Sequence, residues 1–536
     1  MTMASERRFV DWLAARLARA GTRRAFGVPG GGTSLDLIAA LRDHGIDTLI
    51  TAREDAAAIM AGVSGLLAEA PGVAFTTKGP GLASASNGLA SAALDRMPTL
   101  LIAEGFEDGE LDYVSHQAYD QAALVAPLLA AGGAGLLTPE PGTLESWLGQ
   151  GLLPPRRPAV LLASSTAMNR MVDDPADVAP PPEAPSAGEV ANAEAMLGAS
   201  RRPVVVAGLE AARPRVAKAL RDFVDRLGAP ALVTYMAKGC IADAAPSYAG
   251  IFTGGAIEQA CVREADLIVL VGLDPVELIR KPWSYEAPVL DLCETVHEPH
   301  YMVPEGRLVG PLETSLERLA EAADASDWRP DEIAGHRQQF LDGMAVGDGQ
   351  GLSSARVVRA VAESFDAGPR LAVDAGAHMF SACAFWPAAE PLDLLISNGL
   401  ATMGFALPAA LAAALHDPAR GAIAMTGDGG LLMCLGELKT AAEAAANLTV
   451  VVFNDGRLSL IDIKREERQL PDIGMSWSRP DFAAIARGFG LSAWRVDEPD
   501  ALGPALGAAA VERGPRLLDV AVDSRGYNAQ IRALRG

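Results

Sequence analysis

Short, unbroken apolar runs alternate along this chain with longer segments of helix-forming residues, and glycine-rich turns separate them. Runs such as AIAMT at 422–426 and NLTVVVF at 447–453 show no polar alternation, as expected of strands buried on both faces of a sheet. The segment between them, LLMCLGELKTAAEAAA, is built of strong helix formers and predicts the crossover helix. The same strand, turn and helix order recurs at 27–41 (GVPGGGTSLDLIAAL), from 47 into the alanine-rich stretch after Glu54, and at 76–105. It recurs again around PVVVAG at 203–208 and ADLIVLVG at 265–272. This alternation predicts an α/β protein of doubly wound parallel sheets. A proline-rich acidic stretch at 173–188 and a polar stretch from about 324 to 352 interrupt it, giving expected domains at 1–172, 189–325 and 353–536. Domains of about 150 to 200 residues are what a chain this long requires.

Composition narrows the partners. A formal charge of −22 argues against nucleic acid or an anionic membrane surface as a partner. The five cysteines follow no metal-ligand spacing and read as reduced core residues, which with the charge-interrupted, amphipathic N-terminal segment points to a cytoplasmic protein. No segment approaches the roughly 20 apolar residues that span a bilayer.

The chemistry concentrates at Gly427-Asp428-Gly429. The preceding strand delivers Asp428 to a strand C-terminus, where open α/β sheets bind ligands. Bare glycine amides favour phosphate oxygens there, and the carboxylate is a hard ligand suited to Mg²⁺ or Ca²⁺. One crossover later, Asn454-Asp455 ends the next strand and returns a second carboxylate to the same edge. A second Gly-Asp-Gly at 347–349 has no strand before it and no Asn-Asp pair after it, so it reads as a loop. Glu54, at the start of a helix, is a candidate acid–base carboxylate; Asp55 competes, and either could simply favour the helix N-terminus.

The Gly-Asp-Gly and Asn-Asp pairing resembles the signature of thiamine diphosphate enzymes of the acetolactate synthase and 2-oxo acid decarboxylase type. The resemblance implies three domains, binding the pyrimidine, forming the middle and binding the diphosphate. It implies Mg²⁺ held by Asp428, Asp455 and the Arg457 carbonyl, and Glu54 activating the cofactor through its aminopyrimidine. Gln117 matches a glutamine that reaches the active site, while its neighbour His116 departs from the pattern and is a proton carrier, a carboxylate binder or a surface histidine. Asp374-Ala375-Gly376-Ala377-His378 resembles a loop at the diphosphate, and the 397–408 segment one that threads under the cofactor. This implies cofactor contacts for Gly376, His378, Gly399, Gly427 and Gly429, for the Ala401 carbonyl and for Met403, which as a bare methionine would be a gap filler.

Leu273-Asp274-Pro275-Val276-Glu277-Leu278 replaces the run associated with FAD in acetolactate synthases, so the resemblance does not extend to FAD. Lys464 takes the place of a bulky substrate-side residue, either to meet an anionic substrate group or as a solvated surface lysine. The implied reaction is decarboxylation of a 2-oxo acid with carboligation. The alternatives are simple decarboxylation of a larger or anionic 2-oxo acid, or a non-catalytic cofactor-binding subunit. A homodimer or homotetramer is implied, with the glutamate of one subunit facing the cofactor anchored by another.

Overall fold

The computed structural model describes residues 7–130, 135–173, 184–279, 281–298, 300–345, 351–366 and 368–536. The proline-rich stretch lies mostly outside these residues, and so does the second Gly-Asp-Gly. Three six-stranded sheets carry the architecture, and all three are parallel throughout. The expected three-sheet α/β fold is the observed one.

The N-terminal sheet runs in the spatial order Asp47–Ile50, Arg24–Val28, Gly72–Thr76, Thr99–Glu104, Ala159–Ala163, Leu136–Leu137. The C-terminal sheet repeats that topology as Leu394–Ile396, Arg370–Val373, Ala422–Gly427, Leu448–Phe453, Arg516–Val520, Ser492–Val496. In each, the chain leaves the first strand to one side and returns on the other, which opens a crevice between the first and third strands at their C-terminal ends. The middle sheet follows the other doubly wound order, with its reversal between Pro203–Ala207 and Leu267–Val271.

The N- and C-terminal units share one apolar core. Helix Ala406–His416 (ALPAALAAALH) is apolar on every face and packs against helix Glu54–Ala68, where its alanines permit close approach. Two local expectations change. The polar stretch 324–352 contains the helix Pro330–Met344, whose Ile333, Phe340 and Met344 are buried on one face. Its charged remainder masks that sparse stripe. Phe340 packs on the middle sheet, where a Cβ on Gly250 would come within 2.9 Å of its ring, and the Met344 carbonyl accepts from Gln530 Nε2 at 2.7 Å. The single crossover helix expected after Gly430 is two, Asp428–Cys434 and Glu437–Glu443. They part at Gly436, where a side chain would stand 2.7 Å from Ala52 Cβ.

Candidate functional site

The C-terminal crevice opens into a cavity of about 210 Å³. Of the residues singled out by sequence, Gly376, His378, Ala401, Met403, Gly427, Asp428, Gly429, Asp455 and Arg457 line it. Gly399 does not: its N–H donates to Asp95 Oδ1 at 2.6 Å, and a Cβ there would lie 2.6 Å from the Leu94 carbonyl oxygen.

Asp428 is 2 % exposed and fixed on both oxygens. Oδ1 accepts from the Gly429 N–H at 2.8 Å, and Oδ2 from the Gly456 N–H at 2.9 Å and Trp477 Nε1 at 3.1 Å. Asp455 accepts from the Arg457 N–H at 3.1 Å and from the Ser459 hydroxyl. Burial holds the Asp428 carboxyl above its ordinary range, and burial together with the Asp428 charge pushes Asp455 up to about 6. Two carboxylates held together in a half-buried cleft repel, and a cation between them reverses that cost. The Arg457 carbonyl accepts no hydrogen bond among the described residues. Donor chemistry of two carboxylates and a free carbonyl fits a hard divalent ion with its remaining positions open to ligand oxygens.

His378 stacks on Phe453 with ring centroids 5.0 Å apart, and its buried Nε2 has no hydrogen-bond partner. Burial lowers its pKa to about 4, so the ring is neutral near pH 7 until an anion faces it. Gly429 leaves space that a Cβ would fill against Leu458, Met403 and Trp477, at 3.2, 3.3 and 3.5 Å. Met403 thus borders the glycine cradle, and Ala401 adopts φ = 54°, a left-handed conformation unusual for a residue with a side chain. Bare amides, an unpaired imidazole nitrogen and an acidic pair suit a diphosphate with its metal.

No described residue of the N-terminal unit lines this cavity. Glu54 opens helix Glu54–Ala68, half-buried, with no hydrogen bond or ion pair among the described residues. Asp55 is engaged locally, accepting from the Ala56 N–H at 2.9 Å and Arg53 Nε at 3.2 Å. Of the two competing acids, Glu54 is therefore the one left free for a ligand. Gln117 and His116 are exposed on a loop that closes over the Gly-Pro-Gly turn. There Tyr119 donates to the Gly79 carbonyl at 2.8 Å, and Gln117 takes φ = 59°.

Sequence reasoning missed three contributors. Trp477 lies in an irregular stretch far from any strand pattern, and Tyr527 reaches the cavity from the last helix, Tyr527–Arg535. Glu437, inside what reads as a uniform helix, is 1 % exposed and crosses to the N-terminal unit. Its carboxylate accepts from the N–H groups of Ala52 (3.1 Å) and Arg53 (3.0 Å), directly before Glu54. Only the acidity of Glu437 between Gly436 and Leu438 could have flagged it.

Asp95 ties the N-terminal helix Pro80–Leu94 to the 397–403 loop, accepting from Ser91 (2.9 Å), Ser397 (2.7 Å) and Gly399. Burial outweighs these bonds and raises its pKa from 3.8 to about 6. A folded-state value above the unfolded one means stability that is complete below about pH 4 and is withdrawn as pH rises through about 6, roughly 3 kcal/mol in all. Asp95→Asn should remove that dependence. Thermal melts between pH 4 and 7 should show the variant gaining on the parent as pH rises; parallel curves would contradict it.

The middle crevice is closed by its own chain. Glu277, also buried, accepts from the N–H groups of Leu209 (2.8 Å) and Asp274 (3.1 Å) and from the Thr234 hydroxyl. A carboxylate thus takes the backbone amides that a dinucleotide phosphate would need.

Fold and cavity together suit an α/β enzyme that binds a phosphorylated cofactor at a strand-end crevice. Comparison with known families gives the class. Residues 7–124 match the thiamine pyrophosphate enzyme N-terminal TPP binding domain, 190–289 the central domain and 374–520 the C-terminal TPP binding domain. The chain belongs to the thiamine pyrophosphate enzyme family and is a thiamine diphosphate-dependent enzyme. It is similar to an acetolactate synthase of Bacillus subtilis, 26% identical over 95% of this chain and 92% of that one. It is similar to a catabolic acetolactate synthase of Raoultella terrigena, 27% identical over 96% and 95%. A probable 2-ketoarginine decarboxylase of Pseudomonas aeruginosa is 27% identical over 94% and 92%. No helix among the described residues is long and apolar enough to cross a membrane.

Proposed function

We propose that this enzyme decarboxylates a 2-oxo acid with thiamine diphosphate and Mg²⁺ and joins the retained fragment to a second carbonyl compound. The observation that carries this reading is the buried Asp428–Asp455 pair beside the unpaired His378 Nε2 in one glycine-walled cavity. Asp428, Asp455 and the Arg457 carbonyl would hold the metal; Gly429 and His378 would receive the diphosphate; Met403 and the Ala401 carbonyl would set the cofactor's shape. Bound thiamine diphosphate supplies a carbon nucleophile and a sink for the electrons released with CO₂. Glu54 would move the activating proton at the aminopyrimidine, and Gln117 and His116 would lie near the reacting carbons.

A cavity of about 210 Å³ is smaller than the roughly 300–1,000 Å³ of complete small-molecule sites, and Glu54 is not among its walls. We read it as half a site, completed by Glu54 of a second copy in a homodimer or homotetramer. Exposed apolar side chains at both halves favour this: Leu432 and Met433 beside the cavity, Leu111 and Tyr113 near the Gln117 loop. Glu437 then acts as a positioning residue, because it bolts the loop before Glu54 to the helix pair that begins at Asp428. Glu437→Gln weakens charge-assisted bonds and should lower kcat about tenfold while leaving thiamine diphosphate affinity nearly unchanged. Equal losses in both would contradict the positioning role.

With Glu277 seated on the amides of the middle crevice, we read the enzyme as working without FAD, and the purified protein should show no flavin absorbance. A second reading, simple decarboxylation of a larger or anionic 2-oxo acid, is favoured by Lys464. This exposed lysine has no ion pair among the described residues and sits one turn beyond the cavity-lining Leu460 and Ile461. Mass spectrometry of the product from a single 2-oxo acid separates the two: a condensed product supports carboligation, and a free aldehyde supports the second reading.

A further inference from the structure

A cavity of about 560 Å³, larger than the catalytic one, lies at the opposite edge of the C-terminal sheet. Its walls are the starting ends of the strands. They include Ala422 and Thr449, on the two strands whose far ends carry Asp428 and Asp455, and Arg516, which begins the next strand. The ends of helices Ser354–Ser364 and Pro499–Val511 close the sides.

Two groups in this wall have unmet hydrogen-bonding capacity. Among the described residues, Thr449 is 0 % exposed with no partner for its hydroxyl, and Arg516 is 6 % exposed with no partner for Nε. A purely structural arginine would be spent on the helix end, and part of this one is. Nη1 of Arg516 donates to Asn447 Oδ1 at 3.0 Å and to the carbonyls of Gly514 (3.0 Å) and Glu512 (3.3 Å), which caps the helix and leaves Nε as a surplus donor. Phe365 faces the guanidinium at 5.5 Å and walls one side with apolar surface.

The charges sort by depth. Arg420 is neutralised, with Nη2 on Asp393 at 2.6 Å and Nε on the Gly368 carbonyl at 2.7 Å. Asp366 and Glu512 are exposed at the rim, where water screens them, and so is Arg513, which has no ion pair among the described residues. The buried, unpaired groups are therefore a guanidinium N–H and a hydroxyl. Both can donate, and the guanidinium is positive, so they call for an acceptor with negative charge.

We propose that this cavity is a second binding site, separate from the catalytic crevice, for a small oxyanion: a phosphate or carboxylate group seated between Arg516 Nε and Thr449 Oγ1, with Arg513 at the mouth. Nothing in the reaction proposed above uses these residues. Because two of its walls are the feet of the metal-bearing strands, an occupant would share the strands of the catalytic pair.

The test is isothermal titration of inorganic phosphate, and separately of acetate, into enzyme saturated with thiamine diphosphate and Mg²⁺ so that the catalytic crevice is filled. One saturable site per chain is expected for at least one of the two anions. The stronger of them assigns the head group as phosphate or carboxylate. Thr449→Val, which removes a hydroxyl without changing shape, should weaken binding about tenfold or more, and Arg513→Gln at the screened surface by about two- to fivefold, both with thermal melting intact. No binding of either anion, or binding unchanged in both variants, would overturn the proposal.

Discussion

Glu54→Gln is expected to depress turnover by about 10²- to 10⁴-fold, the range general acid–base groups contribute, while thiamine diphosphate affinity stays within a few-fold. The amide preserves size and hydrogen bonding but cannot exchange the proton. Two features make the expectation specific. Glu54 has no partner of its own in the described structure, so its loss as an acid frees no structural bond. Its neighbour Asp55 is committed to the Ala56 N–H and Arg53, so Asp55→Asn should cost little activity. Steady-state kinetics with cofactor titration checks both variants. A large loss for Asp55→Asn with near-normal turnover for Glu54→Gln would exchange their roles.

Asp428→Asn is expected to weaken thiamine diphosphate and Mg²⁺ binding on the order of 100-fold or more, because even groups behind a metal ligand are worth about 10- to 100-fold. The asparagine carbonyl can keep the Gly456 and Trp477 donors at the cost of the single Gly429 bond, so the fold should survive while the charge that offsets the metal is gone. The two variants also probe the shared site. If each cavity is completed by Glu54 of another copy, mixing Glu54→Gln and Asp428→Asn chains through dissociation and reassembly restores activity. Hybrids then contain one site with both native groups. Recovery in assembled hybrids, read against each parent alone, supports the half-site reading; no recovery despite confirmed hybrid formation contradicts it.

Much of this was legible in sequence because the physics is local. A strand buried on both faces shows as an unbroken apolar run, and Gly427-Asp428-Gly429 at its end places a carboxylate where the backbone is bare. Gly427, Asp428, Gly429 and Asp455 meet in one cavity for that reason, and Gly376, His378, Ala401, Met403 and Arg457, which the family resemblance supplies, line it with them. What escaped is what depends on distant chain segments. Trp477 and Tyr527 arrive from irregular or terminal segments with no periodic signal. Glu437 looks like one more surface acid until the N-terminal unit is folded against it. Gly399 was placed at the cofactor by analogy with neighbours only two to four positions away, but the close approach of Leu94 and the pull of Asp95 turn its backbone aside. Helix Pro330–Met344 was hidden by its charge, since three buried side chains in fifteen residues make too thin a stripe to read.

The most direct measurement is CO₂ release from a panel of 2-oxo acids, with thiamine diphosphate and Mg²⁺ supplied together and each omitted in turn. The account predicts release from at least one acid that needs both additions and disappears in Asp428→Asn. Absence of CO₂ from every acid despite demonstrated thiamine diphosphate binding, or release indifferent to Mg²⁺, would contradict it.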